Sequence, residues 1–308
     1  MKYYLAGLTA FILWGFSSLA VKPLSGYASP DILFYRVVFS FLLILAINLL
    51  FRRDAVRADL RKYKAMDAGR RKRALLLTFS GGLFLTSNWI FFIILINHIS
   101  VKAASFAYLV CPIVTTLLAR IFLKEKLDPW QWAAVALSAS GCWLLSLGHW
   151  EDVLYSLIVA FSYGAYLVSQ RANAGFDSLV MLSLHVGIAL VFLLAAGLVY
   201  PFSVPSAPFF YRHMAVLVIV LTVIPLALNL FALKGVSSSG IGMLLYVNPV
   251  VNFVMAILYF KEDVSVVQMV SYALIVISIA VFNKNAITGS RPAGAPPVNS
   301  LRIHPEDP

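Results

Sequence analysis

The chain has 308 residues, 61% hydrophobic and 12% charged, whereas a soluble domain is about a quarter charged, so the composition excludes an ordinary soluble fold. The net charge of +11 suggests nucleic acid, but ten of the 24 Lys/Arg lie between Arg52 and Arg73, in one loop between apolar runs. The positive-inside rule accounts for that placement, and no nucleic-acid partner is expected.

Taken in order, the apolar runs predict ten helices, at 4–21, 32–51, 74–97, 103–123, 129–148, 153–169, 179–200, 214–234, 239–260 and 266–284. Each is long enough to cross roughly 30 Å of hydrocarbon. The expected fold is an all-α polytopic membrane protein with ten transmembrane helices. Ser29-Pro30-Asp31, Asp128-Pro129 and Ser265 supply caps for the second, fifth and tenth helices. The basic loop 52–73 is expected to be cytoplasmic, and an even number of spans then puts both termini on the cytoplasmic side of the cell membrane. Lys2 and Ser18-Leu19-Ala20 give the first helix the look of a signal peptide, but its place in a repeat argues against removal. The proline-rich stretch 285–308 reads as a disordered cytoplasmic tail.

The repeat organises the chain. Pro112, Lys124, Glu125 and Gln131 recur as Pro249, Lys261, Glu262 and Gln268, all offset by 137 residues. Trp14-Gly15 and Lys22 recur as Tyr163-Gly164 and Arg171, offset by 149, because the basic loop lengthens the first copy. The copies are 1–148 and 149–284. Five spans per copy is an odd number, so the second copy enters from the opposite side, as an inverted-topology repeat. A repeat with an interrupted helix in each copy points to a transporter and its site.

All 13 acidic residues fall in loops, at helix ends or in the tail, so no carboxylate lies near the midplane to relay protons. The same absence argues against an enzyme, as does the lack of a zinc helix, a nucleophile elbow or a phosphate loop. Cys111 and Cys142 lie inside apolar runs with no metal or disulfide spacing, and no cofactor or metal is expected. Pro112 and Pro249 each precede the Lys-Glu pair by 12 residues, about 18 Å along a helix, which places them near mid-membrane. They read either as paired bends at a substrate cavity or as packing kinks, and Pro225 gives a third bend.

Polar and aromatic residues at depth form the candidate lining: Trp14 and its repeat mate Tyr163, Asn88-Trp89, Tyr108, Asn229, Tyr246, Asn248 and Asn252. In hydrocarbon they must turn inward, to another helix or to a cavity. Arg36 either snorkels outward with Asp31 or faces the cavity and attracts an anionic solute. His185 is either a packed histidine or a proton relay. The Lys-Glu pairs read as helix caps and gate-edge ion pairs. Small residues at fourfold spacing, Ala103-Ala107-Cys111 and Ala134-Ser138-Cys142, allow close helix approach.

At the doubled Pro…Lys-Glu…Gln block the chain resembles the drug/metabolite transporter superfamily, in its EamA branch, and within that the RarD-type permeases. Matching residues are Phe11 to Gly15, Asp31-Ile32, Arg36-Val37, Asn88-Trp89, Phe92, Asn97-His98, Ala104-Ser105, Tyr108, Pro112, Tyr246 and Pro249. The resemblance spans about residues 3 to 284. It implies an inner-membrane carrier with a link to chloramphenicol sensitivity. Three polar family positions are changed, to Ala103, Cys111 and Leu245, so no substrate carries over. The expected function is secondary transport of a small metabolite or drug-like solute by alternating access, in the export direction by resemblance. The cavity would be lined by the first, third, fourth, sixth, eighth and ninth helices of a monomer or homodimer. The alternative from another class is a membrane enzyme acting on a lipid-linked substrate.

Overall fold

A computed structural model describes residues 2–98, 101–146, 150–259, 261 and 264–284. Among these, every regular element is a helix. The first expected span is divided into α1 (Lys2–Gly15) and α2 (Ser17–Val21), with a 3-10 turn at Lys22–Leu24. Then come α3 (Ser29–Phe51), α4 (Arg53–Ala65), α5 (Ala68–His98), α6 (Val101–Leu123), α7 (Pro129–Ser146), α8 (Trp150–Ala172) and α9 (Ser178–Gly197). The eighth expected helix is α10 (Pro208–Val218), a π-helical turn at Ile219–Val223, and α11 (Ile224–Ala232). The ninth is α12 (Ser238–Leu244) and α13 (Val247–Leu258), and the last is α14 (Val266–Phe282). The expected tail, 285–308, lies outside the described residues, as do Glu262, Asp263 and the side chains at 101–107.

Among the described residues five helical stretches are long and apolar enough to cross a membrane: Ser29–Phe51, Ala68–Phe92, Ser178–Gly197, Pro208–Ala232 and Ser238–Met255. α9 shows the pattern well. It buries Leu182, Val186 and Ala189 against the protein and leaves Val191 and Leu194 exposed on the other side. A helix apolar all round belongs in hydrocarbon rather than at a water surface.

The chain departs from the sequence expectation in three places. The basic loop contains the amphipathic helix α4, docked on the turn between α8 and α9. Arg52 pairs with Asp177 at 2.7 Å, Asp59 accepts the Asp177 N–H at 2.8 Å, and Lys62 donates to the Gly175 carbonyl at 2.6 Å. Burial in this contact raises the Asp59 carboxyl above its ordinary range. Next, α6 runs unbroken through Pro112, whereas the second copy breaks at Leu245–Tyr246, ahead of Pro249. Finally, the first span breaks at Phe16, where no proline stands.

Close helix contacts are built on small residues. α7 lies along α14 through Ala134, Ser138, Gly141 and Cys142 on one side and Ser271, Ile275 and Ser278 on the other. α6 packs on α8, where a Cβ at Gly164 would stand 3.0 Å from Thr115 Oγ1. α1 meets α13 at Gly15, where a Cβ would lie 2.5 Å from the Val251 Cβ. Gly15→Ala is therefore expected to force the two helices apart and destabilise the protein by about 1–3 kcal/mol. Gly26→Ala, with nothing within 4 Å of the new methyl, serves as control. Thermal unfolding in detergent checks this: a lower midpoint for Gly15→Ala only is expected, and equal midpoints would contradict it.

Candidate functional site

The two Lys-Glu turns, after α6 and after α13, have the same local geometry at their lysines. Lys124 and Lys261 are the positive-φ residues outside glycine among the described residues, at 54° and 55°. This is the left-handed region that L side chains seldom adopt. Four residues on, each copy builds a reciprocal capping box. Gln131 N–H donates to Asp128 and the Asp128 N–H to Gln131 Oε1; Gln268 and Ser265 do the same.

Glu125 caps a helix, as expected, but not the one it precedes. Its carboxylate accepts the Ser238 N–H at 2.8 Å, the Ser239 N–H at 3.1 Å and the Ser239 hydroxyl at 2.7 Å. The orphan donors at the start of α12 are thereby satisfied from the other half of the chain. Its repeat mate Glu262 lies outside the described residues.

Between the two halves lies a cavity of about 170 Å³. Seven of the ten candidates, Arg36 included, meet there; Asn252 is not among the lining residues and donates to Asn248 Oδ1 at 2.9 Å. Trp14 enters from α1, Arg36 from α3, Asn88 and Trp89 from α5, Tyr108 from α6, Tyr163 from α8 and Asn248 from α13. The six expected spans all contribute. α3 is a seventh that the sequence expectation omitted from the wall, through Leu33 and Arg36. Ser17, Val21, Leu85, Phe92 and Leu217 were also missed; only Phe92 had drawn notice, through the family resemblance.

Asn229 and Tyr246 do not line the cavity. Asn229 is fully buried behind the wall and donates to the Tyr163 hydroxyl oxygen at 3.2 Å, which leaves the Tyr163 O–H as a donor. Tyr246 is fully buried with its hydroxyl 3.8 Å from Cys142 Sγ on α7, because the break in the ninth span turns it toward that helix. His185 is likewise away from the cavity. It is fully buried edge-on to Tyr166, ring centroids 5.8 Å apart, with neither nitrogen hydrogen-bonded among the described residues. Asn88 has a packing role as well as a place in the wall, donating to the Val159 carbonyl at 3.0 Å.

None of the three prolines lines the cavity, yet two of them shape it. Pro225 has no N–H for the carbonyl of Leu221, four residues earlier. The Trp14 indole N–H takes that carbonyl at 2.9 Å, so the cavity tryptophan is fixed by the orphan the proline creates. Pro249 likewise orphans Leu245, whose carbonyl accepts the Asn248 N–H at 3.1 Å in a tightened turn. Leu245 and Asn248 are both cavity residues. Pro112 sits at the crossing of α6 and α12, where a Cβ at Gly242 would lie 3.5 Å from its carbonyl.

Arg36 does not snorkel. Its Nε donates to Thr222 Oγ1 at 2.7 Å, in the π-helical turn, and its guanidinium stands 5.3 Å from the Trp89 ring centroid. Asp31, five residues earlier, instead accepts the Ser203 N–H at 3.2 Å. Arg120 faces outward over Trp132, 5.4 Å from its ring. Among the described residues no group of His, Cys, Asp and Glu is placed to hold a metal ion.

Residues 1–147 and again 151–284 match the EamA-like transporter family. An uncharacterized transporter of Pseudomonas aeruginosa is 30% identical over 92% of this chain and 93% of its own length. Protein RarD of Salmonella typhimurium is 27% identical over 93% of this chain and 96% of its own. A crystal structure 18% identical in sequence has the same fold, with a TM-score of 0.72 over 94% of this chain and 99% of that one.

The Trp14–Leu221 bond gives a double-mutant test. Trp14→Phe leaves the Leu221 carbonyl unpaired and is expected to destabilise by about 1 kcal/mol. Pro225→Ala restores an N–H in reach of that carbonyl. The double variant should then lose less stability than the sum of the two single ones, read by thermal unfolding. Strict additivity would show that the indole bond and the proline are independent.

Proposed function

The chain belongs to the EamA-like transporter family, a RarD-like permease within it, and on that footing we propose that it carries a small metabolite or drug-like solute across the cell membrane by alternating access. The observation that carries this reading is the cavity, walled by α1, α3, α5 and α6 on one side of the chain and α8, α11 and α13 on the other. An apolar chamber with a few placed polar groups, between two similar halves, is the expected form of a carrier site.

Two copies of five spans, 1–148 and 149–284, inserted in opposite senses, account for the packing. Exchanging each helix for its repeat mate turns the α5–α8 contact into α11–α1, and α6–α8 into α13–α1. α7–α14 and α3–α9 map onto themselves. In such a frame the two halves rock about the cavity. The grip of Glu125 on α12 holds one end closed, and rocking toward the other state releases it. The π-helical turn and the break at Leu245–Tyr246 supply the places where cavity helices bend. The termini lie in the cytoplasm, solute leaves the cell, and a solute gradient rather than a buried carboxylate drives it. His185, away from the cavity and without a hydrogen-bond partner among the described residues, is the remaining candidate for a proton step.

Purified protein in proteoliposomes tests the reading. A thermal-shift screen of metabolites and amphiphilic drugs first finds a stabilising solute, and its flux is then measured with and without a pH gradient. Trp89→Leu and Tyr108→Leu are expected to lower that flux by about tenfold, the scale of one lost side-chain contact of 1–2 kcal/mol, with yield and unfolding midpoint little changed. Undiminished flux in both variants would remove the site.

A further inference from the structure

We propose that the cavity selects a compact organic monoanion and that Arg36 is the residue that holds its carboxylate. This rests on the transport reading and adds the substrate class to it. Arg36 lies seven residues into α3, within the span Ser29–Phe51, and lines the cavity. Arginine does not give up its proton in a protein, so the site carries a full positive charge. A cation at that depth needs an anion or marks a ligand pathway.

Among the described residues no protein anion pairs with it. The ion pairs among the described residues are Arg52–Asp177, Arg57–Asp54 and Arg70–Asp67. Asp31 is engaged by the Ser203 backbone. Thr222 takes the Nε edge of the guanidinium and Trp89 one of its faces, and both are neutral. Among the described residues no hydrogen bond takes the two terminal nitrogens, which share the cavity with the neutral Tyr108 phenol and form the fork that matches a carboxylate. Among the described lining residues Arg36 is the one charged group. A single cation fits a single negative charge; a dianion would enter half-compensated, and a cation would be repelled.

The rest of the wall sets the body of the solute. Trp14, Phe92, Tyr108 and Tyr163 present rings to the cavity, and Leu221 and Leu245 complete an apolar surface. The volume of about 170 Å³ is close to that of an engineered cavity of about 150 Å³ that binds benzene. It suits one ring with a short acid arm.

The full-length protein in detergent tests this with phenylacetate, phenylacetamide and phenethylamine, which share a ring and differ in charge. The readout is the concentration giving half of the maximal thermal stabilisation, and then counterflow of labelled phenylacetate in proteoliposomes. In the wild type phenylacetate is expected to act at a concentration at least about tenfold below the amide, the scale of one charge-assisted contact. The amine should not act. Arg36→Gln should bring the acid-to-amide ratio near one, Arg36→Lys should keep part of it, and Arg120→Gln should keep all of it. A ratio is read within each variant, so a loss of stability common to both ligands does not alter it. Equal action of acid and amide in the wild type, or an undiminished ratio in Arg36→Gln, overturns the assignment while leaving transport of neutral solutes standing. Failure of all three probes to act also overturns it, and the transport reading is then decided by the flux of the screened solute.

Discussion

A proline inside a membrane helix orphans the carbonyl four residues before it, and hydrocarbon offers that carbonyl no partner. The groups that satisfy two such carbonyls line the cavity of this protein. Leu221, orphaned by Pro225, is met by the indole of Trp14 from the far end of the sequence. Leu245, orphaned by Pro249, is met by the Asn248 N–H within its own turn. In both cases the residue that repairs the backbone is also a wall of the cavity. Backbone accounting and site construction are here one event.

The same stretch explains why an arginine can be held at depth. The π-helical turn brings Thr222 round so that its hydroxyl donates to the Leu217 carbonyl at 2.8 Å and accepts from Arg36 at 2.7 Å. The guanidinium is oriented without being neutralised. A buried positive charge without a protein counter-charge is unfavourable at rest. A solute that brings the missing charge relieves it, which ties occupancy of the cavity to the energetics of the helices around it.

Much of this was legible in the sequence, because the membrane simplifies the problem. Apolar length locates helices, and the fixed offset between Pro112 and Pro249 locates the copies before any contact is known. Depth and polarity together picked out Trp14, Arg36, Asn88, Trp89, Tyr108, Tyr163 and Asn248, all of which meet at the cavity. The direction a side chain faces was less legible. Tyr246 and Asn229 are as deep and as polar as their neighbours, but a helix break turns one toward Cys142, and the other supports Tyr163 from behind. The break itself could not be read from Pro249, since the same proline in α6 leaves that helix unbroken. Partnership across halves was hidden too: nothing local to Glu125 says that it caps Ser238 and Ser239.

Transport by rocking halves requires them to lie head-up and head-down about one chamber, with equivalent turns facing opposite sides of the membrane. Impermeant maleimide labelling of intact cells measures this directly. Lys126→Cys and Lys261→Cys are placed singly in a chain whose buried Cys111 and Cys142 are replaced by alanine. Both lysines are exposed. Position 261 is predicted to label from outside and position 126 only after the membrane is permeabilised; labelling of both from one side would contradict the inverted arrangement.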